Sequence, residues 1–95
     1  MPRALFNGTV IAETDSPKMV EGNVYFPPEA IKREFFKESR TRTICIWKGE
    51  ASYYDVEVDG QRAEDAAWYY PDTKAKADHI KGHVAFYSHL VDVEF

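Results

Sequence analysis

Residues 41–58, TRTICIWKGEASYYDVEV, are dominated by side chains that favour β-strands. β-Branched and aromatic residues fit a pleated, half-buried surface, and strands are usually about 5–6 residues long. A run of this length is expected to break, and Lys48-Gly49 is the only candidate, because glycine supplies the positive φ of a tight turn or a bulge. The segment therefore predicts either two successive antiparallel strands or one strongly bent strand.

The second half of this run also predicts two distinct faces. Side chains alternate across a strand, so Tyr54, Val56 and Val58 share one face while Tyr53 and Asp55 share the other. A one-residue bulge at the preceding turn would reverse the assignment, so the sequence leaves open which face is buried.

Turn signals divide the rest of the chain into short strands. Asn7-Gly8 precedes an apolar segment at residues 9–13, which predicts an opening hairpin, and Asp59-Gly60 is the strongest hairpin signal in the sequence. Residues 23–26 read as a strand that Pro27-Pro28 ends, because proline donates no backbone hydrogen bond.

Two short helices are predicted at the margins of the sheets. In residues 28–37, Ile31 and Phe35 are spaced to share one helical face. In residues 74–81 a polar start and a stop at Gly82 predict a second short helix.

The C-terminal segments His83–Tyr87 and Leu90–Phe95 predict a closing hairpin. About seven strands and two short helices then make up the chain. This pattern indicates a mainly β (α+β) protein with antiparallel sheets, partly rolled towards a barrel, and helices at the edges.

Composition limits the classes of protein to which the chain belongs. Its 95 residues suit a single domain, 1–95, and the net charge of −4 has the wrong sign for a general nucleic-acid binder or an anionic-membrane binder. No apolar run is long enough to span a bilayer, and we expect a cytoplasmic protein. A single cysteine, Cys45, excludes a disulfide framework and a zinc site built on cysteine pairs.

Five short blocks carry a recognisable pattern: Asn23-Val24-Tyr25-Phe26-Pro27, Cys45-x-x-Lys48-Gly49-x-Ala51-Ser52-Tyr53-Tyr54, Asp59-Gly60, Ala66-Ala67-Trp68-x-Tyr70-Pro71 and Ile80-Lys81-Gly82-x-Val84-Ala85-Phe86-Tyr87. In this order and spacing they resemble the bacterial domain-of-unknown-function family 427, also labelled nucleotidyltransferase family 9. The resemblance runs from about residue 10 to residue 93. The sequence departs from the family at Ile46-Trp47, where Pro-Tyr is commoner, and at Thr73, where a second proline is common.

The resemblance implies a β-tent, the architecture of the methionine sulfoxide reductase B and cereblon ligand-binding class, in which two antiparallel sheets meet over a cleft. It implies little about function, because shared architecture does not carry chemistry. Many β-tent proteins hold a structural zinc with two Cys-x-x-Cys pairs, which this chain lacks.

Lys48-Gly49 is the strongest candidate for a binding element. A lysine at a glycine turn lets an ammonium and the backbone approach an anion together, although a solvated turn lysine is the ordinary alternative. Cys45 is a candidate nucleophile if a turn brings it near Lys48, but a lone strand cysteine is more often a buried apolar residue. Lys81 either reaches the same cleft or complements a helix end.

The aromatic residues are the second group of candidates. Phenol and indole groups on neighbouring strands can line a pocket for a flat or cationic ligand, while about half of them must serve as core. The candidate ligand-binding residues are Tyr25, Lys48, Gly49, Tyr54, Trp68, Tyr70 and Lys81, and the candidate catalytic residues are Cys45, Lys48 and Tyr53.

Metal chemistry finds little support in the sequence. Asp55, Glu57 and Asp59 share a strand face as a nucleotidyl transferase would need, yet alternating acids opposite valines are the ordinary solvent face of a strand. His79 and His83 have ligand spacing, but Gly82 is expected to end the helix between them. We therefore expect no metal site and no cofactor.

Three functions remain open. The first is a module that binds a small anionic or aromatic metabolite in a cleft lined by lysine and aromatic residues. The second is a small enzyme of nucleotidyl or other group transfer, with Cys45 or a tyrosine acting beside Lys48. The third is a protein-interaction module, either a monomer or a weak homodimer.

Overall fold

A computed structural model describes all residues, 1–95, and contains nine β-strands. They are β1 (Arg3–Phe6), β2 (Thr9–Glu13), β3 (Lys18–Val20), β4 (Asn23–Tyr25), β5 (Phe36–Cys45), β6 (Gly49–Val58), β7 (Gln61–Tyr69), β8 (Val84–Phe86) and β9 (Asp92–Glu94). Three 3₁₀ segments complete the structure: Pro28–Ala30, Arg33–Phe35 and Ala75–Ile80.

The strands form three antiparallel sheets. The orders are β2-β1-β9, β3-β4 and β5-β6-β7-β8, and none of the sheets closes into a barrel. The expected fold class, mainly β with short helical segments, is confirmed. None of the helical segments is long and apolar enough to cross a membrane.

The break predicted within residues 41–58 is a turn at residues 46–48 that joins β5 to β6. Gly49 adopts a φ of +123°, which lies in the region that favours glycine. The hairpins at Asn7-Gly8 and Asp59-Gly60 are also confirmed, with positive φ at all four residues.

Both neighbours of β6 bulge opposite its middle. On β5, Glu38 pairs with Tyr54 and Arg42 with Ser52, so four steps of β5 match two of β6. The register of β7 shifts at the adjacent positions of β6, between Tyr54 and Val56. Paired bulges of this kind sharpen the bend and twist of a sheet.

Asp55 stabilises this bend. Its buried carboxylate accepts hydrogen bonds from the backbone N–H of Asp65, at 2.8 Å, and from the Arg62 guanidinium, at 2.6 Å. Asp65 itself has a φ of +51°, which a non-glycine residue rarely adopts without such support. Asp55, one of three acidic residues considered for metal binding, therefore stabilises the bulge of β7 instead.

Strand β6 is buried on both faces and separates two cores. The alternation predicted from the sequence is confirmed: Tyr54, Val56 and Val58 lie in a larger core, while Ala51 and Tyr53 lie in a smaller one. The smaller core is rich in aromatic residues and is completed by Val20, Tyr25, Tyr70, Ala77, Ile80 and Ala85.

The prediction of one helix over residues 28–37 is wrong. Two 3₁₀ segments flank Ile31, which is buried and forms a β-bridge with Ala12, and the Lys32 N–H donates to the Ile11 carbonyl at 2.8 Å. Pairing with β2 thus outweighs the weak helical spacing of a narrow apolar stripe. The second helix is present as a 3₁₀ segment, Ala75–Ile80, inside the predicted range.

The prediction of a closing hairpin is also wrong. β8 pairs with β7, whereas β9 crosses to pair with β1. Backbone N–H groups of Leu90 and Val91 both donate to the Tyr87 carbonyl and form a turn that leads the chain away from β8. Because β9 pairs with β1, the two chain ends share one sheet.

We predict that Asp55→Ala lowers the free energy of unfolding by about 2 kcal/mol, because the Asp65 N–H loses a charged acceptor. The exposed strand residue Asp92 provides a control, Asp92→Ala, with little effect. Urea unfolding at neutral pH measures both variants. Equal stability of Asp55→Ala and the wild type would contradict this role.

The ionisation of Asp55 makes the stability of the fold depend on pH. Burial raises the pKa of Asp55, but the hydrogen bonds from Asp65 and Arg62 outweigh it, so that its pKa lies below the usual range. A lowered folded-state pKa stabilises the fold above the unfolded value of about 3.9 and loses that effect as the pH falls through the folded value. The difference in stability between wild type and Asp55→Ala should therefore shrink below about pH 4.

Candidate functional site

A cavity of about 390 Å³ lies over the smaller core. Its walls come from β4, β6, β7 and β8, from the turn between β5 and β6, and from the residues that follow β7 and β8. We call it the aromatic cavity, and its lining residues are Asn23, Tyr25, Lys48, Tyr53, Trp68, Tyr70, Phe86, Tyr87, Ser88 and His89.

One wall is set by Tyr25 and Trp68. Their rings meet edge to face, with centroids 6.2 Å apart and planes at 88°, and the Trp68 Nε1–H donates to the Tyr25 hydroxyl at 3.1 Å. Edge-to-face packing places the positive edge of one ring against the negative face of the other. The hydrogen bond fixes the orientation of both rings.

Tyr53 and Tyr87 extend the aromatic lining next to Trp68. Their rings are nearly parallel, at 7° with centroids 6.5 Å apart, and their hydroxyl oxygens are 3.4 Å from each other. Thr43 of β5 shares a second hydrogen bond with the Tyr53 hydroxyl at 2.9 Å. Tyr87 also lies 4.6 Å from the Trp68 ring, so the aromatic walls form one connected set.

Lys48 is the only lysine or arginine that lines the aromatic cavity. Its side chain is 7% exposed, and its ammonium lies 4.9 Å from the Trp47 ring centroid and 5.8 Å from that of Tyr70. Aromatic faces attract a cation through the ring quadrupole. The ammonium also forms an ion pair and hydrogen bond with the carboxylate of Glu21.

The turn that carries Lys48 is held from outside the cavity. The Lys74 N–H donates to the Lys48 carbonyl at 3.1 Å, and the Lys74 ammonium donates to the Ile46 carbonyl at 2.6 Å. A Cβ at Gly49 would lie 3.0 Å from the Asp72 carbonyl oxygen. Close backbone approach as well as positive φ therefore require glycine here.

Burial and charge act in opposite directions on Lys48. Burial lowers the pKa of its ammonium, but the hydrogen bond from Lys48 to Glu21 and the neighbouring Tyr25 and Cys45 outweigh it and leave the pKa raised. The pKa of Glu21 is lowered chiefly by its hydrogen bond to Lys48. The pair is thus ionised at neutral pH.

Three tyrosines of the cavity, Tyr25, Tyr70 and Tyr87, have raised pKa values. Burial raises the pKa of Tyr25 and of Tyr70, and the hydrogen bond with Tyr53 together with burial raises the pKa of Tyr87 to about 12. Neutral phenols can both donate and accept hydrogen bonds. At neutral pH these three side chains are neutral phenols and are not phenolate nucleophiles.

A family model described as a domain of unknown function, DUF427, and labelled NTP_transf_9 matches residues 2–95. The chain belongs to the DUF427 family. This confirms the resemblance drawn from the five sequence blocks and covers the whole chain. No curated protein gives a significant match to the sequence.

The structure brings together five of the candidate site residues predicted from this DUF427 sequence. Tyr25, Lys48, Tyr53, Trp68 and Tyr70 all line the aromatic cavity. The alternation of β6 and β7 explains the grouping, because Tyr53 pairs with Trp68 across the two strands and both face the smaller core.

Other candidates lie elsewhere. Tyr54 faces the larger core, where its ring stacks on Tyr69 at 4.5 Å, so it does not line the cavity. Lys81 is exposed beyond the last 3₁₀ segment and is also absent from the cavity walls. Cys45 is half-buried against the smaller core and is not a lining residue. Gly49 shapes the turn without lining the cavity.

Several residues of the site were not predicted from the sequence. Glu21 lies in the turn between β3 and β4, and the signal for it was Gly22, whose φ of +80° completes a two-residue hairpin. Ser88 and His89 line the cavity because the chain turns after β8, which the predicted closing hairpin concealed.

No cluster of three or more His, Cys, Asp or Glu side chains is arranged to hold a metal ion. Among the acids proposed for magnesium, Asp55 is occupied by Arg62 and by the Asp65 N–H. The polar groups that line the aromatic cavity are phenol, indole, amide, hydroxyl, imidazole and ammonium groups.

We predict that Tyr87 ionises near pH 12 and that the fold loses stability as it does so. A folded-state pKa above the unfolded value of about 10 stabilises the protein fully below pH 10, and that effect disappears as the pH rises through the folded value. Alkaline titration of tyrosinate absorbance, compared between wild type and Tyr87→Phe, isolates this step. Loss of a transition near pH 10 in the variant would contradict the prediction.

Proposed function

We propose that this DUF427 domain is a binding module whose aromatic cavity takes a small metabolite carrying a planar ring and an acidic group. The observation that carries the proposal is the buried Lys48 ammonium set among aromatic rings. A cavity of about 390 Å³ lies within the common range for small-molecule sites, about 300–1,000 Å³.

The aromatic walls suit a planar ring. Tyr25, Trp68 and Tyr87 are held by ring packing and by the Trp68–Tyr25 hydrogen bond, so they are ordered before a ligand arrives. Walls that are already ordered lower the entropy that binding loses. Asn23 and Ser88 add polar groups at the cavity surface that can orient a heteroatom.

The lysine suits an acidic group. Charge-assisted hydrogen bonds are shorter and stronger than neutral ones, and they gain further in a site with restricted access to water. Lys48 lies in a turn fixed by Lys74 and Gly49, so its backbone does not need to reorganise to meet an anion.

Group transfer has less support from the geometry. Tyr25, Tyr70 and Tyr87 have raised pKa values, which keep their phenols neutral, and Cys45 does not line the cavity. A nucleotidyl transferase uses carboxylates to hold magnesium against phosphate oxygens. The carboxylate of Asp55 is bound instead within the sheet.

Self-association is the second candidate function. The edge strand β5 ends beside two exposed apolar side chains, Ile44 and Ile46, which are 73% and 87% exposed. Exposed edges and apolar side chains favour pairing between chains. Arg42 opposes this on β5, because its guanidinium donates to the carbonyls of Ser39 and Thr41. Sedimentation over a range of concentrations would reveal a dimer.

Tryptophan fluorescence tests the binding proposal directly, because both tryptophans lie at the site. Trp68 lines the cavity and Trp47 contacts the Lys48 ammonium. We expect saturable changes in emission, and a higher melting temperature, with planar acids such as benzoate or phenyl phosphate. Nucleotides, amino acids and divalent metals complete the panel.

Lys48→Met removes the charge and keeps an apolar stem, so we expect it to weaken binding of planar acids by about tenfold or more. Lys76→Met, at an exposed lysine of the last 3₁₀ segment, is the matched control and should bind as the wild type does. Binding by no compound of the panel, or equal binding by Lys48→Met and wild type, would refute the proposal.

A further inference from the structure

The Lys48 ammonium is occupied by a group of the protein itself. Glu21 lies in the two-residue turn between β3 and β4, with a φ of +53°, and its carboxylate reaches across to the ammonium. Its contact places a carboxylate oxygen at the only lysine or arginine in the cavity wall. Glu21 therefore marks a position that a carboxylate can occupy.

The two partners depend on each other unequally. The Glu21 side chain is 54% exposed, whereas the Lys48 side chain is 7% exposed. Water can solvate a withdrawn Glu21 carboxylate, but a buried ammonium without an anion remains uncompensated. Another anion at Lys48 would release Glu21 at little cost and would keep the ammonium paired.

The hairpin that presents Glu21 is anchored by Val20 and Tyr25 in the smaller core, while its tip, Glu21-Gly22, is exposed. β3 pairs only with β4, and Lys18 and Met19 on it are exposed. The hairpin is joined to the four-stranded sheet by the bridge between Phe26 and Val84, beyond the end of β4 that is farther from the turn. The exposed Glu21 side chain can therefore turn away from Lys48 without breaking a backbone hydrogen bond.

Charge limits which anion fits. The cavity wall holds one ammonium and no arginine, so it can neutralise one negative charge. A monocarboxylate matches that charge, while a phosphate dianion or a nucleoside triphosphate brings unpaired charge into a partly desolvated site. Neutral phenols and the indole of Trp68 leave room for a planar ring beside the carboxylate.

We infer that Glu21 is an internal competitor and that the ligand is an aromatic or heteroaromatic monocarboxylate whose acidic group replaces Glu21 at Lys48. This inference rests on the proposed function and adds the ligand class and the means of regulation. In the free protein Glu21 occupies the Lys48 ammonium, and the ligand binds by taking over that ammonium.

Substitution of Glu21 tests the inference with benzoate as the probe. Glu21→Gln weakens the competitor, so we expect benzoate to bind about threefold more tightly or better than to the wild type, and Glu21→Ala should do the same. Benzamide, the neutral analogue, should bind equally to all three proteins. Glu34→Gln, at an exposed glutamate on the side of the larger core, is the charge-matched control and should leave benzoate affinity unchanged.

A second readout follows Glu21 itself. In the wild type, the carbonyl carbon signal of the Glu21 side chain should move towards that of a solvated glutamate when benzoate is added. Phenyl phosphate and adenosine triphosphate should bind more weakly than benzoate to the wild type and to Glu21→Gln. Tryptophan emission reports these affinities on a common scale.

The outcomes separate the two proposals. If the wild type binds benzoate but Glu21→Gln binds it no more tightly, the competitor role is overturned while the binding function stands. If phenyl phosphate or the triphosphate binds more tightly than benzoate, the monocarboxylate class is overturned. If neither wild type nor Glu21→Gln binds any compound of the panel, both proposals fail together.

Discussion

A charged ammonium taken out of water needs an anion and polarisable surroundings, and this requirement at Lys48 organises one side of the molecule. The turn of residues 46–48 delivers the lysine, and Gly49 and Lys74 fix that turn. Aromatic rings surround the charge, and Glu21 neutralises it from the neighbouring hairpin. Three separate segments of the chain thus converge on one group.

Strand β6 separates the larger core from the aromatic cavity. Its larger-core face carries Tyr54, Val56 and Val58, which bury surface and hold the sheets together, while Tyr53 on the opposite face lines the aromatic cavity. The bulges of β5 and β7 bend both neighbours at the middle of β6, and Asp55 ties the β7 bulge in place. A substitution on the cavity face therefore leaves the side chains of the larger core in place.

Local signals predicted local structure well. Glycine turns at Asn7-Gly8, Lys48-Gly49 and Asp59-Gly60 depend on the φ of one or two residues, and alternation correctly separated Tyr53 from Tyr54. That separation also shows why both could not line one cavity, although both were candidates. The Lys-Gly turn and the unusual number of aromatic residues pointed to Lys48 and to much of the aromatic wall.

Long-range pairing was the part that the sequence could not provide. The contact between Glu21 and Lys48 spans 27 positions, and the pairing of β9 with β1 joins opposite ends of the chain. Neither follows from the propensities of single residues, because both depend on how the sheets pack.

The most direct test of the account is an NMR measurement of the Lys48 ammonium. The account predicts slow proton exchange and nuclear Overhauser contacts to the Trp47 and Tyr70 rings. Fast exchange without ring contacts, as for a solvated lysine, would contradict it.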